Sequence, residues 1–362
     1  MLFEPLNIKN IVLKNRLIRS ATYEKLADKN GYVTSGLIKI YEALASGGIG
    51  LIITGNALVH PSGMSVPQIL SIHNDSYIAG LKTLTNAVHN AGGTIFIQLV
   101  HGGRQCYPEL LGGKPPIAPS AVFESLLRVM PKQMTEEEVW EIIAAFGESA
   151  HRAKEAGFDG IQIHGAHGYL VSEFLSSYTN KRNDYWGGDE NRRFHFVEKL
   201  MRAVRNAVGN DYPVIIKMNA ADFINGGLEG DESLRIAKRL EEISFDAVEV
   251  SGGMYESDLK PAREQILKEE DEAYFRAYTK DFKKLLNIPV ILVGGIRSKN
   301  VAEAILKNHE ADFISMSRPL IREPDLPNKF KESKEKADCI SCNGCMRFRK
   351  LDFVKCIHEE NK

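Results

Sequence analysis

Three side chains that stand close together could polarise and protonate a substrate: His164, His167 and Tyr169, in the run Gly160-Ile-Gln-Ile-His164-Gly-Ala-His167-Gly-Tyr169. Two imidazoles and a phenol donate hydrogen bonds or a proton to developing negative charge. Taken alone, the histidine pair equally suits polar residues satisfied at a barrel rim, or half of a metal site. A second group, Cys339-Ile-Ser-Cys342-Asn-Gly-Cys345 followed by Cys356, holds four of the five cysteines. Three cysteines at two-residue spacing with a remote fourth suit a 4Fe-4S cluster better than structural zinc, which usually takes two separated pairs. Cys106 lies far from this group and receives no role.

The elements that must position these residues are short apolar runs alternating with helical segments. Eight such runs are read as strands: Leu17 to Ser20, Gly50 to Thr54, Thr94 to Leu99, Gly160 to His164, Val214 to Met218, Ala247 to Val250, Val290 to Val293 and Phe313 to Met316. Between the third and fourth, Thr135 and Glu138 form a capping box, and Val139, Ile142, Ile143, Phe146 and Ala150 recur at helical spacing. Parallel strands joined by helical crossovers follow, and eight units close most simply into a (β/α)8 TIM barrel. An N-terminal hairpin, Leu6 to Leu13 turning near Lys9, precedes it, and a cysteine-rich C-terminal extension follows. The boundaries are 1–330 for the barrel and 331–362 for the extension. An open doubly wound sheet would place a Gly-x-Gly-x-x-Gly turn after the first strand, where Ser20-Ala21-Thr22-Tyr23 stands instead.

With 43% hydrophobic and 26% charged residues, the chain is long enough for one large core. Forty-six basic residues against 47 acidic ones, scattered along the chain, argue against nucleic acid or an anionic membrane as partner. No run is long enough to span a bilayer and Met1-Leu-Phe-Glu-Pro carries no signal core, so the expected location is cytoplasmic. Small molecules are the expected partners, and a homo-oligomer is compatible with these features.

In a TIM barrel chemistry gathers at the C-terminal strand ends. Here those ends present Thr22 and Tyr23, Gly55 and Asn56, Gln98 and His101, the histidine pair, Lys217 and Asn219, Ser251, Gly294-Gly295 and Ser317-Arg318. Glycines and an arginine after strands seven and eight suit a phosphate, the bland alternative being a tight turn beside a surface arginine. For Lys217 the alternative is a rim ion pair with Asp222. The proline- and glycine-rich connection from Gly102 to Pro131 reads as an excursion over the mouth that could serve as a lid, and it and Gly253 to Asp271 are where specificity is expected.

The stretches LFEPLNIKNIVLKNRLIRSA, Gln98 with His101-Gly-Gly-Arg-Gln105, and IQIHGAHGYLVSEFLS with TNKRNDYWGGDENRRF resemble the Old Yellow Enzyme family of FMN-dependent oxidoreductases, in order over about residues 2–330. The resemblance implies FMN across the barrel mouth. Its phosphate would lie on Gly294, Gly295, Ser317 and Arg318, and its ring against Ser20, Ala21, Thr22 and Gly55. Gln98 would bond the pyrimidine edge, and Lys217 would stand beside N1 and the C2 carbonyl. His164 and His167 would hold a substrate carbonyl while hydride passes from flavin N5 to an activated alkene, and Tyr169 would protonate the α-carbon. Ala21 stands where many relatives carry proline, Tyr23 about where some carry a tuning cysteine, and Lys217 where arginine is common, so a relative's flavin potential does not transfer. The tail resembles that of the dienoyl-CoA reductase and trimethylamine dehydrogenase subgroup, with somewhat different spacing. Those relatives continue into nucleotide-binding domains absent here, so electrons are expected from NAD(P)H directly or, through the cluster, from a separate donor protein. Two other roles are an amine dehydrogenase, disfavoured because His164 stands where such relatives have tyrosine, and an electron-transfer module without its own organic substrate. The intact His164, His167 and Tyr169 set disfavours the latter.

Overall fold

In a computed structural model the eight apolar runs form one closed parallel barrel: β1 (Leu17–Arg19), β2 (Leu51–Leu58), β3 (Ile95–Val100), β4 (Gly160–Gly165), β5 (Val214–Asn219), β6 (Ala247–Ser251), β7 (Val290–Val293) and β8 (Phe313–Met316). Each strand pairs with its sequential neighbour and β8 returns to β1, which closes the ring. The structure describes residues 1–358, so the last four residues of the 331–362 extension lie outside it.

The chain forms these elements for local reasons. Lys9 takes the left-handed conformation (φ 55°) that a two-residue turn requires, and the strands Leu6–Ile8 and Ile11–Leu13 pair antiparallel across it. Ile8 and Leu13 then plug the N-terminal end of the barrel together with Ile18, Leu51, Ile53, Phe96, Ile215, Ala247, Ile291 and Phe313. The helix Glu136–Glu155 starts on the reciprocal capping box of Thr135 and Glu138, and its buried face carries Val139, Ile142, Ile143, Phe146 and Ala150. It packs on helix Glu190–Val208, whose buried Phe194, Phe196, Val197, Leu200 and Val204 continue the same layer. Among the described residues no helix is long and apolar enough to cross a membrane.

The extension folds back over the C-terminal end of the barrel. Ala337 N donates to Arg297 O (2.9 Å), Gln265 N to Ser341 O (3.0 Å) and Val354 N to Glu24 O (2.9 Å). Lys25 Nζ reaches the carbonyls of Phe348 and Leu351, and the Phe348 ring stands edge-on to Tyr23 at 5.5 Å. The tail is thereby tied to the loops after β1, β6 and β7.

Candidate active site

The barrel interior beneath the mouth is polar, and it is built from side chains that interrupt otherwise apolar strands. Glu249 on β6 is fully buried and accepts hydrogen bonds from Ser20 Oγ (2.7 Å), Ser315 Oγ (2.8 Å) and Gln162 Nε2 (2.8 Å). Lys217 Nζ lies 3.3 Å from the same carboxylate and donates to Ser20 Oγ at 2.8 Å. Strand register brings the pair together, since Lys217 on β5 is opposite Glu249 on β6. Burial alone drives this carboxyl upward, but the Lys217 ammonium and the three donors outweigh it and hold it below the ordinary carboxylate value. The rim pair of Lys217 with Asp222 does not form. Asp222 points away and accepts from Asn219 Nδ2 and the Leu228 amide, both at 2.8 Å.

β4 ends at Gly165, and the turn that follows places His167 at φ 63° and Gly168 at φ 79°. This left-handed step brings His167 and Tyr169 beside His164, which the strand itself presents to the cleft. The rings of His164 and His167 stand 5.3 Å apart and those of His164 and Tyr169 4.6 Å apart, all roughly perpendicular. Burial, followed by the nearby Lys217 charge, lowers His164 to about 3. Burial, His164 and Lys217 likewise hold His167 well below its ordinary value, so both imidazoles are neutral. His164 Nδ1 accepts from the Ala166 amide (3.3 Å), which leaves its proton on Nε2 as a donor. His167 is fixed by Ser251 Oγ (2.7 Å) and, through its amide, by Asn219 Oδ1 (3.1 Å). Burial and the adjacent Tyr255 hydroxyl raise Tyr169 well above the usual phenol value, so it carries its proton.

On the opposite side Gly294 (φ 137°) and Gly295 (φ 73°) take conformations that side chains avoid, and the Tyr274 ring presses on both. A Cβ at Gly295 would fall 2.8 Å from Tyr274 Cε1. Ser317 bonds Thr22 (Oγ to Oγ1, 2.8 Å), and Arg318 Nη1 donates to Arg263 O (2.7 Å) and Asn343 Oδ1 (2.5 Å).

Ser20, Ala21, Thr22, Gln98, His164, His167, Tyr169, Lys217, Gly294, Gly295, Ser317 and Arg318 all line one cleft. Gly55 does not. The β2–β3 pairing shifts register between Ile53 and Asn56, which sends Asn56 to the cleft and sets Gly55 against Tyr41, Glu24 and Thr22, where a Cβ would clash. His101, on the same strand end as Gln98, is also outside the lining and hydrogen-bonds Ser62 Oγ (2.9 Å).

The lid expectation for Gly102 to Pro131 is corrected as well, because no residue of that connection lines the cleft. Arg104 holds the loop in place: it is fully buried, its amide donates to Glu173 Oε1 (2.8 Å) in the helix that follows Tyr169, and its guanidinium pairs with Glu256 in the segment after β6 and donates to Phe123 O (3.1 Å). The roof comes instead from Tyr255, Pro261 and Ala262 after β6, as expected for that segment, and from Ser341, Cys345, Met346, Phe348 and Val354 of the extension.

Cys339, Cys342, Cys345 and Cys356 surround a second, smaller cavity with Arg318 and Arg322, and Cys345 borders both cavities. Ser341 (φ 53°) and Asn343 (φ 54°) are left-handed, which curls the loop so that every third residue faces inward. Burial pushes the Cys345 thiol up to about 11 and raises Cys339, outweighing the opposing charge of the nearby Arg318. Among the described residues no three of His, Cys, Asp or Glu converge as ligands of a single metal ion.

The cleft fits FMN on its own chemistry. Gln98 Oε1 is buried without a partner and would accept from a ring N–H, Lys217 would supply positive charge, and the Gly294-Gly295 turn with Arg318 would offer backbone and guanidinium donors to a phosphate. The comparisons agree. The chain is 42% identical over 353 residues to an NADH oxidase of Thermoanaerobacter brockii, covering 95% of this chain and 53% of that protein. It is 36% identical to an NADPH dehydrogenase of Geobacillus sp., covering 95% and 96% of the two chains. It spans about half the length of the first curated relatives that it matches. Among solved structures, 2-naphthoyl-CoA reductase with 2-naphthoyl-CoA superposes with a TM-score of 0.91 at 29% identity, over 98% of this chain and 56% of that one. The old yellow enzyme homologue of Zymomonas mobilis superposes with a TM-score of 0.79 at 25% identity, over 94% and 95%. The sequence pattern of one family extends over residues 1–337, across every strand and both sides of the cleft, and the chain belongs to that family, the FMN-binding NADH:flavin oxidoreductase / NADH oxidase family.

Proposed function

We propose that the chain reduces an activated carbon–carbon double bond, in an enone or an enoyl thioester. The observation that carries this reading is the pairing of neutral donors with a protonated phenol in one cleft: His164 Nε2–H and His167 on one wall, Tyr169 beside them. Bound FMN supplies hydride. The imidazoles hold the substrate carbonyl and draw charge from the conjugated β-carbon, and Tyr169 delivers a proton to the α-carbon, so that hydride and proton together account for the two-electron reduction. Neutral imidazoles serve better than cations here, because the Lys217 charge already occupies the floor. The likeness to 2-naphthoyl-CoA reductase supports a thioester in preference to a simple enone.

The four cysteines support a 4Fe-4S cluster over zinc. Three of them stand at two-residue spacing with a remote fourth, and all four line one cavity. Cys345 would then separate the cluster from the flavin, giving a separate donor protein a route for electrons beside direct reduction by NAD(P)H. The division into a barrel of residues 1–330 and an extension of 331–362, in a cytoplasmic protein, belongs to the same reading.

Tyr169→Phe tests it. In anaerobic assays with an enone or enoyl thioester, alkene reduction falls about 10²- to 10⁴-fold while flavin reduction by NAD(P)H continues. Unchanged turnover would overturn the proposal. Iron and acid-labile sulfide analysis of anaerobically purified protein tests the cluster, and zinc without sulfide would reject it.

A further inference from the structure

A carboxylate only accepts hydrogen bonds, and a buried one dictates the orientation of every amide linked to it. Glu249 Oε2 takes the Nε2–H of Gln162 (2.8 Å), and the reverse orientation would set the Gln162 carbonyl oxygen against a negative charge. With its nitrogen so committed, Gln162 turns Oε1 to Gln98 and accepts from Gln98 Nε2 (2.7 Å). Gln98 is then left with Oε1 as the group it offers outward. That atom is buried, borders the cleft and has no partner. A buried carbonyl in this condition awaits a donor from a ligand. The other oxygen of the same carboxylate, Oε1, holds Ser20, Ser315 and Lys217.

We infer that Glu249 and Gln162 are positioning residues that set the polarity of the cleft floor: through them Gln98 is fixed as an acceptor and Lys217 as the cation, so that the floor demands a ring presenting an N–H to the first and a carbonyl or anion to the second. An imide edge has this pattern, which deepens the FMN reading above and rests on it. A ring with the opposite pattern, acceptor toward Gln98, would leave two oxygens facing each other. Neither Gln162 nor Glu249 borders the cleft, so both act only through the residues that do.

The inference is tested by the ionisation of the N3–H of bound FMN, followed from the absorbance change on alkaline titration. An acceptor at Gln98 favours the protonated ring, so in the wild type N3–H ionises at a higher pH than in free FMN. Gln162→Met removes the link, Gln98 becomes free to turn its NH2 to the ring, and N3–H then ionises at lower pH, its ionisation constant rising at least tenfold. Glu249→Gln does the same and, by removing the counter-charge of Lys217, also raises the flavin midpoint potential, which Gln162→Met leaves in place. Unchanged N3 ionisation in Gln162→Met would overturn the inference, and this variant keeps the test intact should Glu249→Gln fold poorly. Failure of wild-type apoprotein to bind FMN would strike the family-based cofactor reading instead.

Discussion

The floor of the cleft is contributed by strands and its roof by loops, and the two differ in how their polar groups are held. On the floor Gln98, Gln162, Lys217, Glu249 and Ser315 come from five strands of a closed barrel and Ser20 directly follows a sixth, and hydrogen bonds of 2.7 to 3.3 Å join them into one network. The roof segments after Met254 and Cys339 contain only short 3-10 turns, and Met346 and Phe353 are more than one-third exposed. Strand register leaves the floor groups almost no freedom, whereas a loop changes shape without unfolding the core. Such a molecule keeps its cofactor chemistry fixed and leaves substrate shape to the part that is easiest to alter.

The largest effect that separates floor from roof is expected from Lys217→Met. It leaves the fully buried Glu249 without its cation and should cost about 3–5 kcal/mol, read by urea unfolding of the apoprotein, and most of the loss should return in the double variant with Glu249→Gln. An additive double variant would show that the two groups are not coupled. At the phosphate-side turn, Gly295→Ala forces a Cβ into the left-handed region against Tyr274 and should cost about 1–2 kcal/mol, seen as weaker FMN binding with the barrel still folded. On the roof, Phe348→Ala removes an edge-on contact with Tyr23 and should lower stability by only about 1 kcal/mol while changing substrate KM more than FMN affinity. A Phe348→Ala loss as large as that of Lys217→Met would abolish the distinction.

The smallest expected effect on turnover is that of pH. His164 and His167 are depressed in the folded state, so below the ordinary histidine value the unfolded chain binds more protons than the folded one. Their contribution to stability is therefore complete above that value and is lost as pH falls toward about 3, the folded value of His164. With both imidazoles neutral and Tyr169 protonated, kcat/KM for alkene reduction should be flat over roughly pH 5 to 8. An inflection near the ordinary histidine value would show that one imidazole works as a cation.

All eight strands and the hairpin are legible in the sequence because short apolar runs bounded by glycine and polar residues have few other uses in a chain of alternating helices. Gln98, Lys217 and the histidine pair are legible because polar groups at strand ends have a known address in a barrel. Glu249 carries the same signal, a single ionised residue inside an apolar run and in register with Lys217, yet it acts without bordering the cleft. Gly55 reads as a lining residue only until the register shift beside it is known. The roof is illegible for another reason. Nothing near Phe348 or Val354 in the sequence indicates that their backbones bond to Lys25 and Glu24, and the Arg104 clamp on the long excursion closes through Glu256, also far away in the chain.

The backbone bond from Val354 to Glu24 also has a consequence for biosynthesis. Translation delivers the whole floor by Met316, while the residues that close the mouth, from Ser341 onward, emerge afterwards. A nascent chain therefore passes through a stage in which the barrel strands are complete while the part of the roof that follows Ser341 has yet to fold over them.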